Sequence, residues 1–121
     1  MGCSKRQLGR LGESIAYEYL LFMGYTILAR NWRFRRFELD CVAKDGDCLV
    51  LVEVKSRSQP IPCEHPLVSH AQISRLLTAG SVFAEHIGHE WEFRLDTILV
   101  IWDEDHIPLL NHTPNAFFPG W

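Results

Sequence analysis

No stretch of the 121-residue chain approaches the ~20 consecutive apolar residues that a bilayer-spanning helix requires, so a membrane protein of that kind is not expected. The opening MGCSKRQLGRLGE is basic but lacks the apolar core of a secretory signal. Gly2 and Cys3 have the form of an acylation sequence, yet the chain runs straight into an amphipathic helical pattern, and acylation is not expected. There is no linker, low-complexity segment or internal repeat, and the length leaves room for one domain, 1–121. Cysteines are few: those at 3, 41, 48 and 63 are not spaced like the CxxC pairs of a zinc site. Cys41 and Cys48 lie in or beside apolar runs, where a free thiol behaves as a small hydrophobe, and reduced thiols in a cytoplasmic protein are the simplest expectation. His65, His70, His86, His89, His106 and His112 include no HxH or HExxH spacing, so none is assigned to a metal. His86 and His89 sit at a helix end, where C-terminal capping is the expected role.

Positive charge is also scarce overall. The net charge of −3 argues against a generally basic nucleic-acid binder. Its distribution says more: residues 1–36 carry seven Lys or Arg against two Glu, and residues 37–121 carry five against thirteen acidic residues. Such a basic first third can present a phosphate-facing patch on an acidic body, or it can be ordinary solvated charge. With 47% hydrophobic and 22% charged residues, the composition suits a packed core.

The periodicity predicts a helix over 4–23, with Ser4 as N-cap, Leu8, Leu11, Ile15, Tyr19 and Phe22 at helical spacing, and Gly24 to end it. Strands are expected over 25–32 and 37–43, followed by an Asp45-Gly46 turn. A third, over 48–54, carries the unbroken apolar run Cys-Leu-Val-Leu-Val, the mark of a strand buried on both faces. The three prolines of 58–66 predict a loop. Helical periodicity returns over 68–87, and 91–102 reads as another apolar strand. The tail from Pro108, rich in proline and aromatics, is expected to dock on the body. The order α-β-β-β-α-β describes an α/β fold, a mixed sheet flanked by helices.

Chemistry concentrates at Glu53-Val54-Lys55, the end of the most apolar strand. Alternation puts Glu53 and Lys55 on one face and Val54 on the other. Burying a carboxylate and an ammonium there is costly unless they are paired or bind a metal. Glu38 and Asp40 share a face of the preceding strand, and a hairpin through Asp45-Gly46 would lay Asp40 near Glu53. Two carboxylates and a lysine at one point suit phosphodiester hydrolysis: Mg²⁺ accepts one or two carboxylates and keeps several waters, and a lysine can orient water or stabilise developing charge. The bland alternative is a structural Glu-Lys pair. Glu13 on the first helix and Gln72 on the second can both reach such a site, or be a solvated glutamate and an exposed glutamine. Trp32 and Phe34, set among Arg30, Arg33, Arg35 and Arg36, can clamp nucleic acid or, for Trp32, pack in the core.

The thirteen-residue interval from Asp40 to Glu53 resembles the layout of the PD-(D/E)xK nucleases. More specifically, the chain resembles the YraN family, also called UPF0102, through several ordered pieces: Gly9-Arg10-x-Gly12-Glu13, Ala29-Arg30-Asn31-Trp32-Arg33, Glu38-Leu39-Asp40 and Val52-Glu53-Val54-Lys55-x-Arg57. Weaker echoes are Gln72, Arg94-Leu95-Asp96 and Asn115-Ala116-Phe117. That family is similar to archaeal Holliday-junction resolvases and other restriction-endonuclease-like folds. The resemblance implies Mg²⁺ (or Mn²⁺) held by Asp40 and Glu53, Lys55 as catalytic lysine, Glu13 as auxiliary acid and Gln72 as a supporting or phosphate contact. It offers Arg30, Arg33 and Arg57 for phosphate binding. DNA, branched or damaged, is the implied substrate, and a homodimer would serve to cut two strands.

Two positions depart from the family's pattern. Phe37 stands where glycine usually precedes the Glu-Leu-Asp piece, and Ala71 where lysine often precedes the second-helix glutamine. Neither touches the implied metal ligands, but both bear on how a substrate approaches. Since fold does not prove function, a non-catalytic nucleic-acid- or partner-binding module and a structural protein with an internal ion pair stand beside the nuclease.

Overall fold

The computed structural model describes residues 4–58, 68–89 and 92–117. Cys3, Cys63, His65, Trp91, Phe118, Trp121 and residues 59–66 of the loop expected over 58–66 lie outside them. Helix α1 (Lys5–Phe22) starts where the sequence places its cap. Ser4 Oγ accepts from Gln7 N at 3.2 Å and Gln7 Oε1 accepts from Ser4 N at 2.9 Å, a reciprocal capping box that satisfies two donors. There follow β1 (Thr26–Phe34), β2 (Phe37–Asp45), β3 (Cys48–Ser58), α2 (His70–Ile87), β4 (Phe93–Trp102) and β5 (Pro108–Phe117). No helix among the described residues is long and apolar enough to cross a membrane.

The five strands form one sheet in the order β1-β2-β3-β4-β5. Only β3 and β4 run parallel, joined through α2, as a parallel pair requires a crossover. This mixed sheet flanked by helices is compatible with a restriction-endonuclease-like fold. Alternation along β3 divides two cores. Val50, Val52 and Val54 join Ala16, Tyr17 and Leu20 of α1. Leu49 and Leu51 join Leu76, Ala79 and Phe83 of α2. The strand is thus covered on both faces, as its apolar run predicts. Glycines let both helices approach closely. A Cβ at Gly12 would lie 3.0 Å from Ser56 Oγ, and one at Gly80 only 2.4 Å from Leu51 Cδ1.

The tail differs from its expectation by adding a strand. Pro108 and Pro114 disfavour strand assignment in sequence, but β5 is an edge strand, where a missing amide donor is tolerated. Its register slips against β4 between Leu95 and Thr97, and Asn115 takes a φ of +55°. Strand β3 also runs on to Ser58, because β4 pairs with it residue for residue as far as Trp102.

Candidate active site

The site arises where two strands part. β2 pairs with β3 from Asp45↔Cys48 to Cys41↔Val52, whereas Phe37, Glu38 and Leu39 pair with β1 alone. In the gap, Asp40 Oδ2 accepts a hydrogen bond from Val54 N at 3.2 Å, so a side chain takes over from the main-chain ladder. Glu53, with 7% of its surface exposed, faces α2. Its Oε1 accepts from Gln72 Nε2 at 3.0 Å and lies 3.2 Å from Lys55 Nζ. Val54 turns the other way, into the core beneath α1. The alternation inferred from the sequence therefore holds, and Asp40 and Glu53 lie close enough for each to act on the other's ionisation.

Crowding two acids in a buried setting penalises their ionisation. Burial, followed by the negative charge of Asp40, pushes the Glu53 carboxyl up to about 7, with Lys55 opposing. Burial also raises Asp40, against the Val54 hydrogen bond. Glu13 on α1 is raised by burial and then by Asp40, which brings it into the same electrostatic neighbourhood. One helical turn on, Tyr17 Oη donates to the main-chain oxygen of Asp40 at 3.2 Å, and Arg30 lies 4.3 Å above the Tyr17 ring. Tyr17 therefore braces the strand at position 40. Sequence reasoning missed it, although its i+4 spacing from Glu13 puts both on one helix face.

Facing carboxylates with raised pKa values are relieved by a shared proton or by a cation. The donor set is oxygen, which suits a hard divalent ion such as Mg²⁺ or Mn²⁺. Among the described residues no group of three or more His, Cys, Asp or Glu is gathered closely enough to cage a metal. An ion on Asp40 and Glu53 would thus retain much of its water, as Mg²⁺ commonly does.

A cleft of about 640 Å³ opens between β2 and α2, with Asp40, Glu53 and Gln72 on its walls beside Arg36, Phe37 and Arg75. Arg75 was given no role from the sequence, and Arg36 only a place among the cations interleaved with Trp32 and Phe34; the packing of α2 against β2 brings the two together. Arg30, Arg33 and Arg57 lie off this lining. Arg33 pairs with Glu38 at 3.1 Å on the surface, and Arg57 lines a separate cavity with Lys5 and Trp102. Trp32 takes the core reading, half-buried and edge-on to Phe83 at 5.3 Å. Arg35 sits 5.3 Å over Phe34. The His86 ring packs edge-on to Phe34 at 4.7 Å, while left-handed Gly88 caps α2.

The later motif pieces meet away from the cleft. Asp96 is fully buried, and its Oδ1 accepts from Arg94 Nε and Asn115 N, both at 3.0 Å. His112 Nε2 lies 2.8 Å from Oδ2, and Tyr19 Oη is 2.9 Å from His112 Nδ1. Arg94 also donates to Tyr25 Oη and Asp45. This cluster ties β5 and α1 to β4.

Comparison with known proteins matches residues 12–100 to the model of the uncharacterised protein family UPF0102. The chain belongs to the UPF0102 family. It is 36% identical over 112 residues to a UPF0102 protein of Renibacterium salmoninarum, covering 90% of this chain and 94% of that one. A UPF0102 protein of Chloroflexus aurantiacus is 37% identical over 113 residues, covering 88% and 94%. One from Clavibacter michiganensis is 39% identical over 101 residues, covering 81% and 85%. The UPF0102 match spans Glu13, Asp40, Glu53, Lys55 and Gln72, whereas His112 and Asn115 lie beyond it.

Proposed function

We propose that this UPF0102 protein is a metal-dependent endonuclease that hydrolyses phosphodiester bonds in DNA, with branched or damaged DNA as its substrate. The observation that supports it best is the meeting of Asp40 and Glu53 on the wall of an open cleft, at the point where β2 leaves β3, with Lys55 paired to Glu53. A buried pair of like charges weakens a fold, so its presence calls for a ligand that the pair serves.

Asp40 and Glu53 would hold Mg²⁺ or Mn²⁺. Such an ion, when bound, lowers the pKa of water and neutralises charge on a phosphate. Gln72 fixes the Glu53 carboxylate by its amide hydrogen bond, and Val54 N–H fixes that of Asp40. Lys55 keeps its ammonium beside Glu53, where it can orient water or stabilise negative charge on a phosphate oxygen. Glu13 stands behind Asp40 as an auxiliary acid.

The test is cleavage of single-stranded, duplex and branched DNA with Mg²⁺ or Mn²⁺. Asp40→Ala is expected to lower the rate by at least about 100-fold, the scale on which one preorganised electrostatic group acts. Undiminished cutting by Asp40→Ala would defeat the mechanism. Salt-sensitive DNA binding without turnover, unaffected by loss of Asp40 or Glu53, would leave a binding module on the same fold.

A further inference from the structure

We infer that Phe37 is a base-stacking platform and that, flanked by Arg36 and Arg75, it makes the cleft a site for single-stranded or locally unpaired DNA. The inference rests on the nuclease reading for the class of ligand, though not for catalysis.

Phe37 is the aromatic residue lining the cleft. It is half-buried, packed against the core beneath α2, and so held in place by the fold. Most rings around it are already engaged. Trp32 and Phe34 stack on each other, and Phe83 meets Trp32. Phe37 has no such ring partner among the described residues, although it borders open space. An aromatic ring here can receive a flat apolar face.

The charges around it favour a nucleotide over a plain hydrophobe. Arg36 precedes Phe37 at the start of β2, and Arg75 reaches the cleft from α2. Neither pairs with a carboxylate among the described residues, in contrast to Arg33 with Glu38, Arg94 with Asp96 and Lys55 with Glu53. Glu38 also borders the cleft, but Arg33 engages its charge. Two guanidinium groups beside a ring offer forked phosphate contacts next to a stacking surface, the combination that binds unpaired strands.

Strand geometry excludes an intact duplex from using this ring. Phe37 lies three residues before Asp40 on β2, roughly 10 Å along the strand. A base on Phe37 would therefore belong to the strand whose phosphate reaches Asp40 and Glu53, a few nucleotides away. Inside a duplex both faces of that base are occupied by its neighbours. It can stack on protein only at an end, flap, junction or single-stranded stretch, or after flipping.

The experiment is fluorescence anisotropy in EDTA at low salt, with a labelled oligothymidine single strand and a blunt duplex of equal length. It compares the wild-type chain with Phe37→Leu, Phe37→Trp and the Arg36→Gln/Arg75→Gln double variant. Leucine preserves the core packing while removing the π-face, and circular dichroism checks that each variant folds. Phe37→Leu is expected to weaken single-strand binding about 5- to 150-fold, leaving duplex binding within about twofold, with Phe37→Trp restoring wild-type affinity. The double arginine variant is expected to weaken both ligands and to flatten the salt dependence. Equal loss on both DNAs in Phe37→Leu, or no loss on either, overturns the inference. If the wild-type chain cuts DNA but Phe37→Leu binds as before, the stacking role alone fails. If the single-strand preference follows position 37 but nothing is cut, nuclease activity alone fails. Absence of any DNA binding removes both.

Discussion

Replacing Glu53 with glutamine is expected to strengthen the metal-free fold above neutral pH while removing a proposed metal ligand. Folding raises this carboxyl from 4.5 to about 7, chiefly through burial and then through Asp40, so the folded state holds the proton more tightly than the unfolded chain. Below about pH 4.5 the group is neutral in both states and contributes nothing. As pH rises from there towards 7, the unfolded chain releases its proton first and stability declines; above 7 the whole penalty is present. At 1.36 kcal/mol per pKa unit the penalty is about 3 kcal/mol. Glutamine cannot ionise, keeps the shape of the side chain and can still bond to Gln72. Lys55 would lose its partner, but that loss is already contained in the net shift, which Lys55 opposes. The variant should therefore be more stable by about 3 kcal/mol at pH 8 and by less than about 0.5 kcal/mol at pH 4.5. Urea denaturation in EDTA at the two pH values measures this. A difference that is the same at both, or a variant weaker than the wild-type chain at pH 8, would refute the electrostatic account of the pair.

Two further substitutions test the frame that carries the site. Gly80→Ala adds a Cβ 2.4 Å from buried Leu51 Cδ1. The overpacking of about 1–3 kcal/mol should outweigh the gain of about 1 kcal/mol in helix propensity, and Leu51→Val in the same chain should recover part of the loss in a urea titration. Asp96→Asn leaves Arg94 and His112 without the buried carboxylate they share, and should lower unfolding free energy by about 3 kcal/mol without changing DNA binding at the cleft.

Much of the fold was legible because β3 and the helices follow simple periodicities. The Cys48–Val52 run demanded cover on both faces, and the Ser4–Gln7 box fixed where α1 begins. The Glu53-Val54-Lys55 alternation carried the site equally directly, since neighbours two apart must share a strand face. β5 was hidden by Pro108 and Pro114, whose penalty applies to central strands rather than edges. Arg75 was unreadable for another reason: its relation to Arg36 and Asp40 depends on how α2 lies over β2, which no local pattern encodes. Asp96 shows the same limit, as its partners come from β4 itself and from residues sixteen and nineteen positions later. Arg30 and Arg33, prominent in the basic first third, are drawn towards Tyr17 and Glu38 by contacts that a charge tally cannot anticipate.

The hydrogen bond from Val54 N–H to Asp40 gives one aspartate two duties. One oxygen closes a backbone seam, leaving the rest of the carboxylate for chemistry. Asparagine could discharge the first duty without the second, whereas alanine forfeits both and loosens the fork on which the cleft is built. Architecture and reactivity at this position are therefore separable by a single atom, and an inactive alanine variant gains its full meaning only beside the asparagine one.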